Sequence, residues 1–215
     1  MKILFLGDSI TFGVGASAKE TKYIHVVERL LNCEVLNYGV SGTRIGRQTF
    51  VHRRTIWNYD FRLRVQIMDP EADLVFVFGG TNDYGHGNLP LGDAVCRVPG
   101  TFCHELQLLI EDLMKKYGKE KLRFILPTRR FGEEGVCCKG ADGAKQGEPL
   151  CAYVAAMKTV LNEYGIRYLD LYENGFPKPL VNTGDAYTAD GVHPNDNGHA
   201  FIARKIVEFL KEEQA

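Results

Sequence analysis

Residue types able to perform acyl transfer stand near both ends of this chain. Gly7-Asp8-Ser9-Ile10-Thr11 directly follows the apolar run Ile3-Leu4-Phe5-Leu6. Such a run reads as a short buried strand. Ser9 then stands at the carboxyl end of a strand, the edge where open α/β sheets bind their ligands. Far along the chain, Asp190-Gly191-Val192-His193 offers a base and a carboxylate to orient it. One short loop presents both. Serine, histidine and aspartate together point to a serine nucleophile activated by an imidazole.

The rest of the chain must supply a scaffold that joins these ends. Tyr23, Ile24, Val27, Leu30 and Leu31 recur at helical spacing, and Val35-Leu36 reads as a short strand. Residues 60–68 read as a short helix ending before Pro70. Leu74-Val75-Phe76-Val77-Phe78 is apolar throughout and closes on Gly79-Gly80, the pattern of a strand buried on both faces. A helical stripe follows in Phe102, Leu106, Leu109, Ile110 and Leu113. Leu122 to Leu126 is a strand stopped by Pro127, residues 150–164 form an amphipathic helix, and Ile166 to Leu171 forms the last strand. The final helix carries Phe201, Ile202, Ile206, Val207, Phe209 and Leu210. This alternation predicts a parallel sheet with helices on both faces. Two stretches, from Tyr84 to about Thr101 and from Thr128 to about Pro149, read as long loops on the ligand-binding edge.

Composition narrows the function classes. At 215 residues the chain is most simply one domain, 1–215, with room for a sizeable core. Its net charge of −1 creates no general field for nucleic acid or an anionic membrane. No apolar run approaches the roughly 18 residues a membrane helix needs. Lys2 precedes only a short apolar run that Gly7-Asp8 interrupts, unlike a signal peptide, so a cytoplasmic protein is expected. The six cysteines then read as reduced thiols. Cys137, Cys138 and Cys151 cluster, but adjacent cysteines match no common zinc spacing. Gly13-Val14-Gly15-Ala16-Ser17-Ala18 fits a dinucleotide-loop string but starts too far past the first strand. Arg44, Arg47, His52, Arg53 and Arg54 make one locally basic segment, read as a solvated face.

Four strings occur in order along almost the whole chain: Gly7-Asp8-Ser9-Ile10-Thr11, Asn37-Tyr38-Gly39-Val40-Ser41-Gly42, Gly80-Thr81-Asn82-Asp83 and Asp190-Gly191-Val192-His193. Together they resemble the four sequence blocks of the SGNH hydrolases, also called GDSL esterases and lipases, with Ile10 where the name has leucine. The resemblance implies a three-layer, flavodoxin-like α/β sandwich with a five-stranded parallel sheet, a serine mechanism, and neither metal nor other cofactor. It implies Ser9 as nucleophile, His193 as base and Asp190 as its orienter. It also implies an oxyanion hole formed by the backbone amides of Ser9 and Gly42 and the side-chain amide of Asn82. The expected partner is a small-molecule ester: an acetylated carbohydrate, a short acyl ester, a lysophospholipid or a thioester. Thr43, Tyr84, His86, Arg129, Arg130 and Phe131 are expected near substrate because they adjoin these blocks or the strand-four edge. Asp8 and Asp83 read as loop-bracing acceptors, Asp8 with a further expected contact to substrate. The remaining alternatives are a non-catalytic sugar- or anion-binding protein on the same fold, and a cysteine hydrolase. No cysteine follows a strand in a glycine-rich turn, which disfavours the latter. His199, inside the last helix, reads as structural.

Overall fold

The structure is a computed structural model and describes residues 1–49, 53–137 and 147–213. Its strands are β1 (Lys2–Gly7), β2 (Glu34–Gly39), β3 (Leu74–Phe78), β4 (Leu122–Ile125) and β5 (Arg167–Leu169). They form one five-stranded sheet, order β2-β1-β3-β4-β5, with every pairing parallel. Strand alternation divides the core in two. Leu4, Leu6, Val75, Val77, Leu122 and Phe124 face one layer, with residues of α3 (Phe61–Val65), α5 (Phe102–Tyr117) and α6 (Leu150–Tyr164). Ile3, Phe5, Phe76 and Phe78 face the other, with α2 (Tyr23–Leu31) and α7 (Asp196–Glu212). Phe5 stacks on Phe76 at 5.4 Å and meets Tyr23 edge-on at 5.5 Å. The helices belong to the expected alternation, and the fold is the flavodoxin-like sandwich. Among the described residues, no helix is long and apolar enough to cross a membrane.

Register positions the chemistry. Gly7 pairs with Gly39 on one side and with Phe78 on the other. Three adjacent strands, β2, β1 and β3, therefore end level, and the residues after each emerge together. The order reverses beside β1, whose neighbours β2 and β3 receive connections running in opposite directions across the sheet. A crevice opens at such a switch point. Two short helices start there: α1 (Ser9–Phe12) and α4 (Thr81–His86). The second differs from expectation, since Tyr84 to His86 are helical rather than the start of a loop. Gly80, in the left-handed region at φ 104°, turns the chain out of β3 and into this helix.

Candidate active site

Asp8 caps α1 through its own carboxylate, which accepts the Ile10 amide at 2.9 Å. That cap places Ser9 at the first helical position, its hydroxyl at the crevice. At the far end of the chain, Asn195 caps α7 by accepting the amides of Asn197 and Gly198. The loop before it is closed by the Ala189 amide to the His193 carbonyl, 2.8 Å, and by the Asn195 amide to Tyr187, 3.0 Å. This tight turn carries His193 back over Ser9. Ser9 Oγ lies 2.9 Å from His193 Nε2, and His193 Nδ1 lies 2.7 Å from Asp190 Oδ2. A carboxylate only accepts, so Nδ1 carries the hydrogen and Nε2 presents its lone pair to the serine hydroxyl. The other Asp190 oxygen accepts the amides of Val192, 3.0 Å, and His193, 2.8 Å. Partial burial opposes the charged form of Asp190. The His193 amide and imidazole and the Val192 amide outweigh it and hold the carboxyl below its ordinary range.

The second and third blocks close the crevice from the side. Gly42 has φ 78°, and a Cβ there would stand 2.0 Å from Trp57 Nε1, so the indole packs where any side chain would begin. Gly15 is tight for a similar reason: a Cβ would fall 2.2 Å from the Pro194 carbonyl, beside the His193 turn. Gly13 ends α1, so this glycine string serves the packing of the serine loop. Asn82 Nδ2 donates to the Thr43 carbonyl at 2.9 Å, joining the second block to the third. Asp83, beside it, accepts the amides of Ile45 at 3.0 Å and Gly46 at 2.8 Å. Beneath the first two blocks lies the buried guanidinium of Arg64. It donates to the carbonyls of Gly7 (2.6 Å) and Tyr38 and to Thr43 Oγ1 (2.8 Å). Burial lowers its pKa to about 10, against the attraction of Asp8 and Asp60.

A cavity of about 350 Å³ opens at this point. Ser9, Gly42, Asn82 and His193 line one part of it, and Arg54, Trp57, His86 and Arg130 another. A wider depression of about 680 Å³ beside β5 and α7 is lined by Asp170, Lys205 and Glu208 among others, with no serine, cysteine or histidine. It lacks a nucleophile for acyl transfer.

The residues expected to touch substrate divide. His86 and Arg130 line the cavity, and Ser41 joins them. Asp8, Thr43, Tyr84 and Arg129 do not, and each has other employment. Asp8 is buried, which pushes its carboxyl up to about 6, against the Ile10 amide and the charges of His193, Arg64 and Arg130. Thr43 donates to the Val40 carbonyl and receives Arg64. The Tyr84 hydroxyl donates toward the carbonyls of Gly132 and Gly135 at 2.7 and 2.9 Å. Arg129 is paired with Glu133 at 2.6 Å and lies over Tyr172. Phe131 contributes its backbone amide, which donates to Gly191.

Arg54 comes from the segment read as a solvated basic face, and Trp57 follows just after it. In the structure Arg44 is buried, and Arg54 lies over the Trp57 ring at 4.9 Å. His52 and Cys138 fall outside the described residues. Among the described residues no three His, Cys, Asp or Glu side chains converge as a metal site. His199 is buried between the Tyr23 amide and the Val14 carbonyl, each at 3.3 Å. Burial pulls its pKa down to about 4 despite the Val14 bond and the nearby charge of Asp196.

Three comparisons bear on this arrangement. A protein of known structure from Lactobacillus plantarum is 28% identical, with a TM-score of 0.73 over 98% of this chain and 96% of that one. A member of the lipolytic G-D-S-L family from Veillonella parvula is 21% identical, with a TM-score of 0.65 over 97% of both chains. An acetyl xylan esterase, AlAXEase, is 19% identical, with a TM-score of 0.61 over 97% of this chain and 98% of that one. No curated protein matches the sequence. The model of the GDSL-like lipase/acylhydrolase family matches residues 5–201. The chain thus belongs to the GDSL-like lipase/acylhydrolase family and is a carboxylic ester hydrolase.

Proposed function

We propose that Ser9, His193 and Asp190 form the catalytic triad of a cytoplasmic serine esterase acting on small esters. The observation that carries this reading is the continuous chain Ser9 Oγ to His193 Nε2 to Asp190, at 2.9 and 2.7 Å, opening on the cavity. In the first step the Ser9 hydroxyl gives its proton to His193 Nε2 as Oγ attacks the ester carbonyl carbon. The carbonyl oxygen becomes an oxyanion, received by the Ser9 and Gly42 amides and Asn82 Nδ2. The imidazolium, stabilised by ionised Asp190, then protonates the leaving alkoxide. The alcohol departs and leaves an acyl-serine. A water activated by the same imidazole hydrolyses that ester and restores Ser9.

The cavity, about 350 Å³, sits at the small end of ligand pockets and favours a short acyl group such as acetyl on a sugar over a long chain. The test is a series of p-nitrophenyl esters of rising chain length beside acetylated sugars and a lysophospholipid. Turnover highest at acetyl to butyryl, and lost in Ser9→Ala, supports the reading. A wild-type protein that binds acetylated sugar without turning over any ester identifies a binding protein instead.

A further inference from the structure

We propose that His86 is a positioning residue that aims the amide of Asn82, itself held by Arg44 and Trp57; this rests on Asn82 being an oxyanion donor. Asn82 and His86 are four residues apart on α4 and so share one helix face. His86 Nε2 lies 3.1 Å from Asn82 Oδ1, and His86 Nδ1 lies 2.8 Å from Arg44 Nη1. At the other end, Asn82 Nδ2 lies 2.9 Å from the Thr43 carbonyl.

The ends of this chain remove every ambiguity of hydrogen placement. A backbone carbonyl only accepts, so the Asn82 nitrogen must face Thr43 and its oxygen must face His86. A guanidinium only donates, so His86 Nδ1 must be the acceptor and Nε2 must carry the hydrogen. The imidazole is therefore neutral, donating to Asn82. A second proton on Nδ1 would point at the Arg44 donor. Arg44 is in turn fixed: it is buried and also donates to the carbonyls of His86 at 3.1 Å and Trp57 at 3.2 Å. The Trp57 ring stacks on His86 at 4.3 Å with 19° between planes.

The consequence is an amide that cannot rotate. Its oxygen is held by His86 and one hydrogen by Thr43, leaving the second hydrogen with a single direction. A donor set before reaction needs no reorganisation as the oxyanion forms. His86 thus acts through Asn82, and its removal should lower kcat more than it changes KM.

The test is a double-mutant cycle with kcat and KM measured on a short-chain ester. His86→Phe keeps a ring on Trp57 but cannot donate to Asn82. His86→Gln keeps a donor on the same helix face. The expected result for His86→Phe is a kcat about tenfold lower, with KM within about twofold and a melting temperature a few degrees lower because buried Arg44 loses an acceptor. His86→Gln should return kcat to within about threefold of wild type. In an Asn82→Ala background, His86→Phe should cost nothing further. Wild-type kcat in His86→Phe, equal loss in the Phe and Gln variants, or the same loss in the Asn82→Ala background would each overturn the positioning role while leaving Asn82 in place. Asn82→Ala with undiminished kcat would remove the oxyanion role, and the positioning role with it.

Discussion

Two aspartates of the crevice each accept two backbone amides, Asp190 also holds an imidazole, and their carboxyls are shifted in opposite directions. Asp83 accepts two backbone amides, those of Ile45 and Gly46, and so does Asp190, from Val192 and His193. Asp83 is buried, and the loss of water outweighs both amides and the pull of Arg44, raising its carboxyl to about 7. Asp190 is half exposed and is held below the ordinary range. Water access and the His193 imidazole on Asp190 together decide which effect wins. It also separates the roles: a carboxylate held ionised can stabilise an imidazolium, whereas a buried one ties loops together. The side that carries Asp83 is tied to buried loop amides, whereas the side that carries Asp190 and His193 is partly open and set by one tight turn.

Substitutions should break the two sides differently. Between these two sides, and apart from Ser9 and His193 themselves, the largest effect is expected at Asp190. Asp190→Asn removes the acceptor that selects the His193 tautomer, so kcat should fall about 10⁴-fold while the melting temperature barely moves. A loss below about tenfold would take Asp190 out of the triad. Next comes Asn82→Ala, expected to lower kcat by about 10²–10³ with little change in KM. A large melting-temperature drop with kcat within about twofold would assign Asn82 to the loop instead. Asp83→Ala should show the reverse profile. It strands the buried amides of Ile45 and Gly46, at about 1–3 kcal/mol each, so thermal unfolding should come several degrees earlier. An unchanged melting temperature would show that the clamp is dispensable.

The smallest effect is a pH dependence on the far side of β1. His199 titrates at about 4 in the fold and about 6.5 when unfolded. The unfolded state therefore binds the proton first on acidification. The stability that neutral His199 contributes is complete above pH 6.5 and is lost as pH falls toward 4. Asp8 and Asp83, whose folded pKa values are raised, carry the opposite slope over about pH 4–7. Comparing wild type with His199→Gln cancels the aspartates. The variant should gain stability relative to wild type between pH 8 and pH 5. A constant difference across that range would contradict a neutral buried His199.

The legible parts of the molecule were those that rest on spacing along one element. Apolar runs closing on glycine marked β1 and β3, and Gly7-Asp8-Ser9 and Asp190-Gly191-Val192-His193 marked the loops at their edge. The pocket walls were legible only at His86 and Arg130, because adjacency in sequence does not say where a side chain points. Tyr84 lies two residues from Asn82, which in a helix is the opposite face, and it turns into the core. The same-face spacing of His86 with Asn82 was readable in principle, but with Tyr84 taken as the start of a loop that period has no meaning. Trp57 and Arg54 lie in a segment with no apolar periodicity. Their position comes from long-range contacts: Arg44 to the Trp57 carbonyl, and the Phe61 amide to Arg44 at 3.2 Å.

The central claim is that Ser9 is the nucleophile, and covalent labelling tests it most directly. A fluorophosphonate probe should attach to Ser9 Oγ, mapped by peptide mass spectrometry, with labelling and esterase turnover both absent in Ser9→Ala. His193→Ala should label far more slowly, since the hydroxyl then lacks its base. Label found on Ser41 or a cysteine, or Ser9→Ala that still hydrolyses ester at the wild-type rate, would contradict the account.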